Sequence, residues 1–298
     1  MGWPADNSPK TVRIYPGWGA AHAAEALAEA AGIGAWRVRL AIWLQGAATR
    51  IQAGEYRIPA RVSPWRLARI AAEGRGISHR ITIPEGLRTD EVLALLAKRT
   101  SIPRPEWERA LRALVGEETE GVLLPETYTY RWPPQPKALL RAMIEAQAKV
   151  LDELAGDDAD ARRRLRIIAS LIEKETAVPE ERPLVAAVIY NRLKRGMPLQ
   201  LDPSVIYGII RTRGRFDGNL TRRDLRTDTP WNTYTRRGLP PTPICNPSKA
   251  SLMAAAHPAD VDYLYFVADG TGGHRFARTL EEHERNVRRW IRIEHHRR

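Results

Sequence analysis

The chain has 298 residues, 43% hydrophobic and 28% charged, which is enough for one large domain or two ordinary ones with real cores and is a normal balance for a soluble globular protein. Its single cysteine, Cys245, excludes an intrachain disulfide and a CxxC metal site, and its seven histidines show no HExxH-like spacing, so no metal is expected. The formal net charge of +12 favours polyanionic partners (nucleic acid, anionic lipid head groups, anionic wall polymers), or else marks the solvated surface of an Arg-rich chain.

The opening run Met1-Gly2-Trp3-Pro4-Ala5-Asp6 lacks the apolar centre of a signal peptide. No later stretch approaches the roughly 18 apolar residues of a membrane-spanning helix. The chain as written therefore reads as soluble, either shortened or starting downstream of an anchor.

Short strand–helix units follow. Thr11–Tyr15 is β-rich, Pro16-Gly17-Trp18-Gly19 is a turn, and Ala20–Ala31 is an Ala-rich helix. Gly54–Ile58 reads as a strand, Ser63-Pro64 as a cap with a first-turn proline, and Trp65–Glu73 as a helix ended by Gly74. Arg80–Ile83 is β-rich, Pro84-Glu85-Gly86 is a turn, and Asp90–Arg99 is a helix capped by Thr89 or Asp90. Three such units in succession predict an α+β start. Pro103–Glu120 is mostly helical, and a Pro-rich link over Pro133–Pro136 leads to a long helix from Lys137 to about Ala155.

Leu165–Thr176 and Pro183–Arg195 carry helical periodicity, with Gly196 as a stop. Beyond Met197 the prolines predict a loop-rich region. Tyr263–Ala268 is a strand, Asp269–Gly273 a turn, His274–Ala277 its hairpin partner, and Thr279–Ile293 a closing helix.

Chemistry concentrates on the Leu165–Thr176 helix. At about 100° per residue, Leu165, Ile168, Ala169, Ile172 and Thr176 share one face, with Glu173 and Glu175 on its two shoulders and Lys174 turned to water. A carboxyl at the margin of an apolar surface has its pKa raised by burial and can act as a glycosidase-type acid. The competing reading is a pair of solvated glutamates flanking an amphipathic helix, and the pattern alone does not choose between them. Asn191, Gln200, Asp202, Ser204, Asn232, Thr233 and Tyr234 cluster in Pro-bounded stretches. Amides, hydroxyls and aromatics of this kind suit sugars, although Asn and Asp beside proline are also ordinary turn residues.

The run Ile168-Ala169-Ser170-Leu171-Ile172-Glu173-Lys174-Glu175-Thr176 resembles the signature of the YceG-like family of endolytic murein transglycosylases. Tyr190–Leu193, Gly196–Gly208, Asn232-Thr233-Tyr234, Gly238–Ile244, Ala255–Pro258 and Tyr263–Ala268 continue the resemblance, and Ala53–Tyr56 and Ile83–Gly86 extend it upstream. It covers about residues 10–290, in order. Leu124-Pro125-Glu126-Thr127-Tyr128 departs from the family's Phe-Pro-Asp-Thr-Tyr by keeping the carboxylate on a longer arm.

The resemblance implies a small LysM-like N-terminal domain plus a larger mixed α/β catalytic domain, an α+β chain divided as 10–78, a bridging strand–helix segment 79–120, and a catalytic 121–298. It implies that Glu173, not Glu175, is catalytic. It further implies cleavage of the β-1,4 bond between N-acetylmuramic acid and N-acetylglucosamine in nascent strands, 1,6-anhydromuramic ends, and termination of glycan growth beside peptidoglycan synthases. A single-pass anchor in the inner membrane, with the catalytic part in the periplasm or outside the cell, is the family's address, and this chain carries no such anchor.

Asn191, Gln200, Asp202, Asn232 and Tyr234 are the candidates for holding sugar or orienting Glu173, and no cofactor is expected. Two rivals remain: a hydrolase in which Asp202 or Glu175 activates water, and a non-catalytic LysM-like wall-binding protein. Nucleic-acid binding rests on charge alone, with no basic-aromatic module behind it, and is not expected.

Overall fold

The computed structural model describes residues 8–297; the opening Met1–Asp6 segment, read above for a signal peptide, lies outside the described residues. Helices alternate with three two-stranded sheets among the described residues, a mixed α+β architecture. None of these helices is long and apolar enough to cross a membrane.

The chain divides into two compact units. The first runs to Ile81 and takes in Thr127–Gln135. In it β1 (Lys10–Ile14) pairs antiparallel with β2 (Gly54–Ile58), Val12 opposite Tyr56. The two-residue period turns Val12, Ile14, Tyr56 and Ile58 inward. Packed with this ribbon are α1 (Ala20–Ala31), α2 (Ala35–Leu44) and α3 (Pro64–Glu73). Leu27, Val38, Ile42 and Leu67 complete the core, and the alanines of α1 let the helices approach closely.

Local signals set the boundaries. The Ser63 hydroxyl accepts from Arg66 N–H at 3.3 Å with Pro64 in the first turn, and Gly74 closes α3 at φ 63°. The expected third strand starts and ends earlier than its sequence pattern, as β3 (Ser78–Thr82), and pairs with β4 (Thr127–Arg131). The sequence pattern does not reveal α2, because that helix is apolar on more than one side and so has no clean period.

The second unit comprises Thr82–Glu126 and Pro136–Arg298. It holds α4 (Thr89–Thr100), α5 (Arg104–Val115), α6 (Pro136–Ala155), α7 (Ala159–Glu175), α8 (Arg182–Lys194), α9 (Asp202–Arg213), α10 (Arg222–Arg226), α11 (Lys249–Ala256) and α12 (Leu280–Arg297). A hairpin of β5 (Tyr265–Ala268) and β6 (His274–Ala277) pairs Phe266 with Phe276. At the start of α4 the Glu91 carboxylate accepts from Arg88 N–H at 2.9 Å. The expected caps, Thr89 and Asp90, lie inside the helix instead.

Two expectations are corrected here. Helix α7 is not amphipathic over its last turns: Ile167 to Ile172 are all buried, because α6, α8, α9 and α11 pack around it. The region beyond Met197 is not simply loop. Pro203 sits in the first turn of α9, where a missing N–H costs nothing. Thr221 and Asp224 cap α10 reciprocally, and Ser248 caps α11. One proline there starts a helix, and hydroxyl caps start the other two. Gly208 lies inside α9, where a Cβ would collide with the Thr229 hydroxyl; the absent side chain lets that loop lie on the helix.

Candidate active site

The central helix α7 carries its two glutamates in its last turn. Glu173 is half-buried. Its Oε2 accepts two hydrogen bonds from Ser248, from the main-chain N–H at 2.9 Å and the hydroxyl at 2.6 Å. Ser248 is the N-cap of α11, and its hydroxyl also accepts from Ser251 N–H at 3.3 Å. The hydroxyl therefore donates to Glu173 and accepts from its own helix, the one arrangement a single hydroxyl proton allows. The positive end of α11 faces the same carboxylate.

Ser248 is placed by Asn246, which is fully buried. The Asn246 Oδ1 accepts from Leu123 N–H at 2.9 Å, and its Nδ2 donates to the Leu87 carbonyl at 3.0 Å and the Thr89 hydroxyl at 3.2 Å. Its main chain donates to the Leu87 carbonyl and accepts from Gly86 N–H. These bonds tie the Pro84–Thr89 turn to the segment entering α11. That turn borders Glu173: Gly86 adopts φ 71°, and a Cβ there would lie 3.6 Å from Glu173 Cγ. Lys174, though exposed, donates from Nζ to the Gly86 carbonyl at 3.3 Å. On α7 itself, the Ser170 hydroxyl accepts from Ile244 N–H at 3.0 Å, which registers the same segment one turn earlier.

Glu175 occupies a different environment. Its Oε1 is sealed from solvent and has no hydrogen-bond partner among the described residues. Burial pushes its pKa up to about 8; Asp202 adds to the rise and Arg192 opposes it. The raised carboxyl expected at the margin of this helix is therefore found at Glu175.

Around Glu175 lies a polar cluster. Arg192 is buried and donates to the carbonyls of Leu264 at 2.6 Å and Leu199 at 2.8 Å. Its guanidinium also lies over the Tyr265 ring, 5.2 Å from the centroid. Tyr234 donates its hydroxyl to Asp202 Oδ1 at 2.6 Å. Burial, reinforced by that bond, pushes the Tyr234 phenol up. Gln200 adopts φ 52° and donates its N–H to the Thr233 carbonyl, which brings it beside the same strand of chain.

Three of the five sequence-nominated polar residues thus come together: Gln200, Asp202 and Tyr234, of which Asp202 and Gln200 are exposed. The other two engage main chain. Asn191 donates from Nδ2 to the carbonyls of Val261 at 2.8 Å and Tyr263 at 3.0 Å. Asn232 is fully buried, donates to Leu225 and Thr227 carbonyls, and accepts from Tyr234 N–H at 2.8 Å. Asn232 thereby aims Tyr234.

Ser248, Asn246 and Arg192 were not nominated from the sequence. A signal existed for Ser248, a hydroxyl residue directly before a helix of small and apolar residues. Beyond α7, Thr176 donates its hydroxyl to Glu181 at 2.9 Å, and Glu181 meets His274 Nδ1 at 2.7 Å, which links the exit of α7 to the hairpin. A separate cavity of about 340 Å³ between α4, α5 and α9 is lined by Arg88, Glu120 and Arg211 among others and includes neither glutamate of α7. Among the described residues no three His, Cys, Asp or Glu side chains gather as a metal would need.

A sequence profile of the YceG-like family matches residues 12–289. A Bacillus subtilis (strain 168) protein named endolytic murein transglycosylase is 31% identical over 251 residues, covering 76% of this chain and 69% of the relative. A Streptococcus pneumoniae serotype 2 protein of the same name is 36% identical over 177 residues, which cover 56% of this chain and 31% of the relative. The crystal structure of a Listeria monocytogenes protein described as YceG-like superposes with a TM-score of 0.60 at 27% identity, over 94% of this chain and 99% of that one.

Proposed function

The chain belongs to the YceG-like family, and on that premise we propose that it is an endolytic peptidoglycan lytic transglycosylase with Glu173 as its acid and base. It cuts the β-1,4 bond between N-acetylmuramic acid and N-acetylglucosamine in nascent strands, leaves 1,6-anhydromuramic ends, and so terminates glycan elongation. The observation that carries this reading is the pair of Ser248 donors on Glu173 Oε2, at 2.9 and 2.6 Å, within the motif order that marks the family.

In this reaction protonated Glu173 donates to the glycosidic oxygen as the bond from the anomeric carbon breaks, through an oxocarbenium-like transition state. The muramic acid 6-hydroxyl then attacks its own anomeric carbon and returns its proton to Glu173. The nucleophile belongs to the substrate, so no second carboxylate is needed to activate water, and no metal or organic cofactor takes part. Ser248 holds the carboxylate in one orientation throughout. Gln200, Asp202 and Tyr234 bind sugar hydroxyls and ring faces, and Asn191 and Asn232 act by holding the chain segments that carry them.

The remaining parts of the reading concern context. Residues 10–78 form a LysM-like portion, 79–120 a bridge and 121–298 the catalytic portion. The partners are peptidoglycan strands and peptidoglycan synthases, not nucleic acid, and the site of action is the periplasm or the outside of the cell, at the inner membrane.

A second reading has an observation of its own. Glu175, with its pKa pushed up to about 8, is the carboxyl that stays protonated near neutral pH and would be the proton donor if a sugar oxygen reached it. Product analysis of digested peptidoglycan by mass spectrometry decides between them. Glu173→Gln abolishes anhydro ends and Glu175→Gln retains them on the first reading, with the reverse on the second. Products heavier by one water identify hydrolysis, and binding without products identifies a wall-binding protein.

A further inference from the structure

Helix α2 is apolar on two opposite sides. Val38, Ala41 and Ile42 are buried in the first unit's core. On the other side Trp36, Leu40, Trp43 and Leu44 face water, 65%, 46%, 74% and 58% exposed. At about 100° per residue these four fill one continuous arc, and Arg39 and Arg37 stand at its two margins. The Arg37 guanidinium lies 5.3 Å from the Trp36 ring centroid, and Arg39 reaches Glu25 on α1.

Helix α3 of the same unit adds a further exposed ring. Trp65 is 52% exposed, and its carbonyl accepts from Gln45 Nε2, just past the end of α2, at 3.0 Å. Arg66 and Arg69 follow it, both exposed. Scattered exposed apolar residues are normal, but two tryptophans and two leucines on one exposed helix arc, with a third tryptophan exposed on the helix packed beside it, are not.

The surrounding charge identifies what covers this face. From Ser8 to Ile81 and over Thr127–Gln135 the first unit has twelve Lys or Arg against four Glu. Most of the chain's net charge of +12 is therefore carried by its smaller unit. An apolar arc rich in tryptophan, bounded on both sides by arginine, matches the boundary between lipid acyl chains and head groups. Tryptophan rings sit at head-group level there, and arginine stems lie along apolar surface while the guanidinium reaches phosphate.

We propose that the exposed face of α2, extended by Trp65, docks on an anionic lipid bilayer. This does not rest on the catalytic reading, because none of these residues belongs to the second unit. Docking would hold the first unit flat on a membrane surface, whatever else tethers the chain.

The test is co-sedimentation and tryptophan emission of the full chain with vesicles of equal parts phosphatidylglycerol and phosphatidylcholine, beside vesicles of phosphatidylcholine alone. The expected result is binding to the anionic vesicles with a blue-shifted emission, weakened by salt. The double variant Trp36→Ser/Trp43→Ser should bind about tenfold or more weakly with unchanged circular dichroism. The variant Arg37→Gln/Arg66→Gln should lose the preference for anionic lipid. Neither pair lies in the proposed catalytic machinery, so both should cleave soluble glycan as the parent does. Equal vesicle binding by parent and tryptophan variant overturns the proposal, and so does failure of the parent to bind. Loss of binding to purified sacculi in the tryptophan variant, with no vesicle binding by the parent, overturns it in favour of a glycan surface.

Discussion

Ser248 places both of its donors on one oxygen of Glu173, at 2.9 and 2.6 Å, from a position 75 residues further along the chain. Two bonds to one oxygen fix the plane of the carboxylate and link it to the start of α11. Removing the hydroxyl leaves the main-chain donor in place. Ser248→Ala should lower turnover by roughly 10- to 100-fold, the value of a hydrogen bond to a charged group, and cost about 1 kcal/mol as a lost N-cap. Ser248→Thr should restore much of both. Initial rates of anhydro-product release, measured beside urea unfolding, separate catalysis from stability. Wild-type rates in Ser248→Ala would remove Ser248 from the proposed mechanism.

Glu175 makes stability depend on pH. In the unfolded chain its carboxyl ionises near the ordinary value; in the fold burial pushes its pKa up to about 8. Between those two values the unfolded state releases a proton that the folded state keeps, so stability falls as pH rises, by up to ~1.4 kcal/mol per pH unit. The contribution is complete below the ordinary carboxylate range and fully lost above about pH 8. Glu175→Gln should flatten that slope. Chemical denaturation from pH 5 to 8 for both proteins checks it, and parallel slopes would contradict the assigned environment.

Asn246 satisfies Leu123 N–H, the Leu87 carbonyl and the Thr89 hydroxyl from a fully buried site. Asn246→Ala strands a buried main-chain donor and opens a small void, and should cost about 2–4 kcal/mol. Activity should fall too, because the residue seats both Ser248 and the turn beside Glu173. Thermal unfolding reads the first effect, and turnover at a temperature where the variant is still folded reads the second.

Tyr234→Phe deletes the 2.6 Å bond to Asp202 and little else. The expected stability change is about 1 kcal/mol. If Tyr234 and Asp202 hold sugar, KM should rise several-fold while kcat changes less. A fall in kcat alone, at constant KM, would place Tyr234 in the chemistry instead of in binding.

Much of the fold is legible along the chain because its signals are local. Ala20–Ala31 and Gly54–Ile58 lie where composition and turn residues put them, and α3 starts and stops at Ser63 and Gly74. Helix α9 was hidden because proline reads as a breaker until its place in the first turn is known. Helix α2 was hidden because its two apolar sides erase the period that betrays a helix. At the site, Gln200, Asp202 and Tyr234 could be nominated by residue type, whereas Arg192 could not, since nothing local distinguishes a buried arginine from a solvated one.

By itself the sequence determined the order of most elements, the likeness to a family over nearly the whole chain, and the helix that carries two candidate glutamates. Helical geometry left Glu173 and Glu175 on equal shoulders of one face. Only the tertiary structure separated their surroundings: Ser248 meets Glu173 across 75 residues, while Asp202 and Arg192 close around Glu175. Caps and periods act within about one or two helical turns. The desolvation and hydrogen-bond partners of a side chain are set by whichever distant segments the folded chain brings against it.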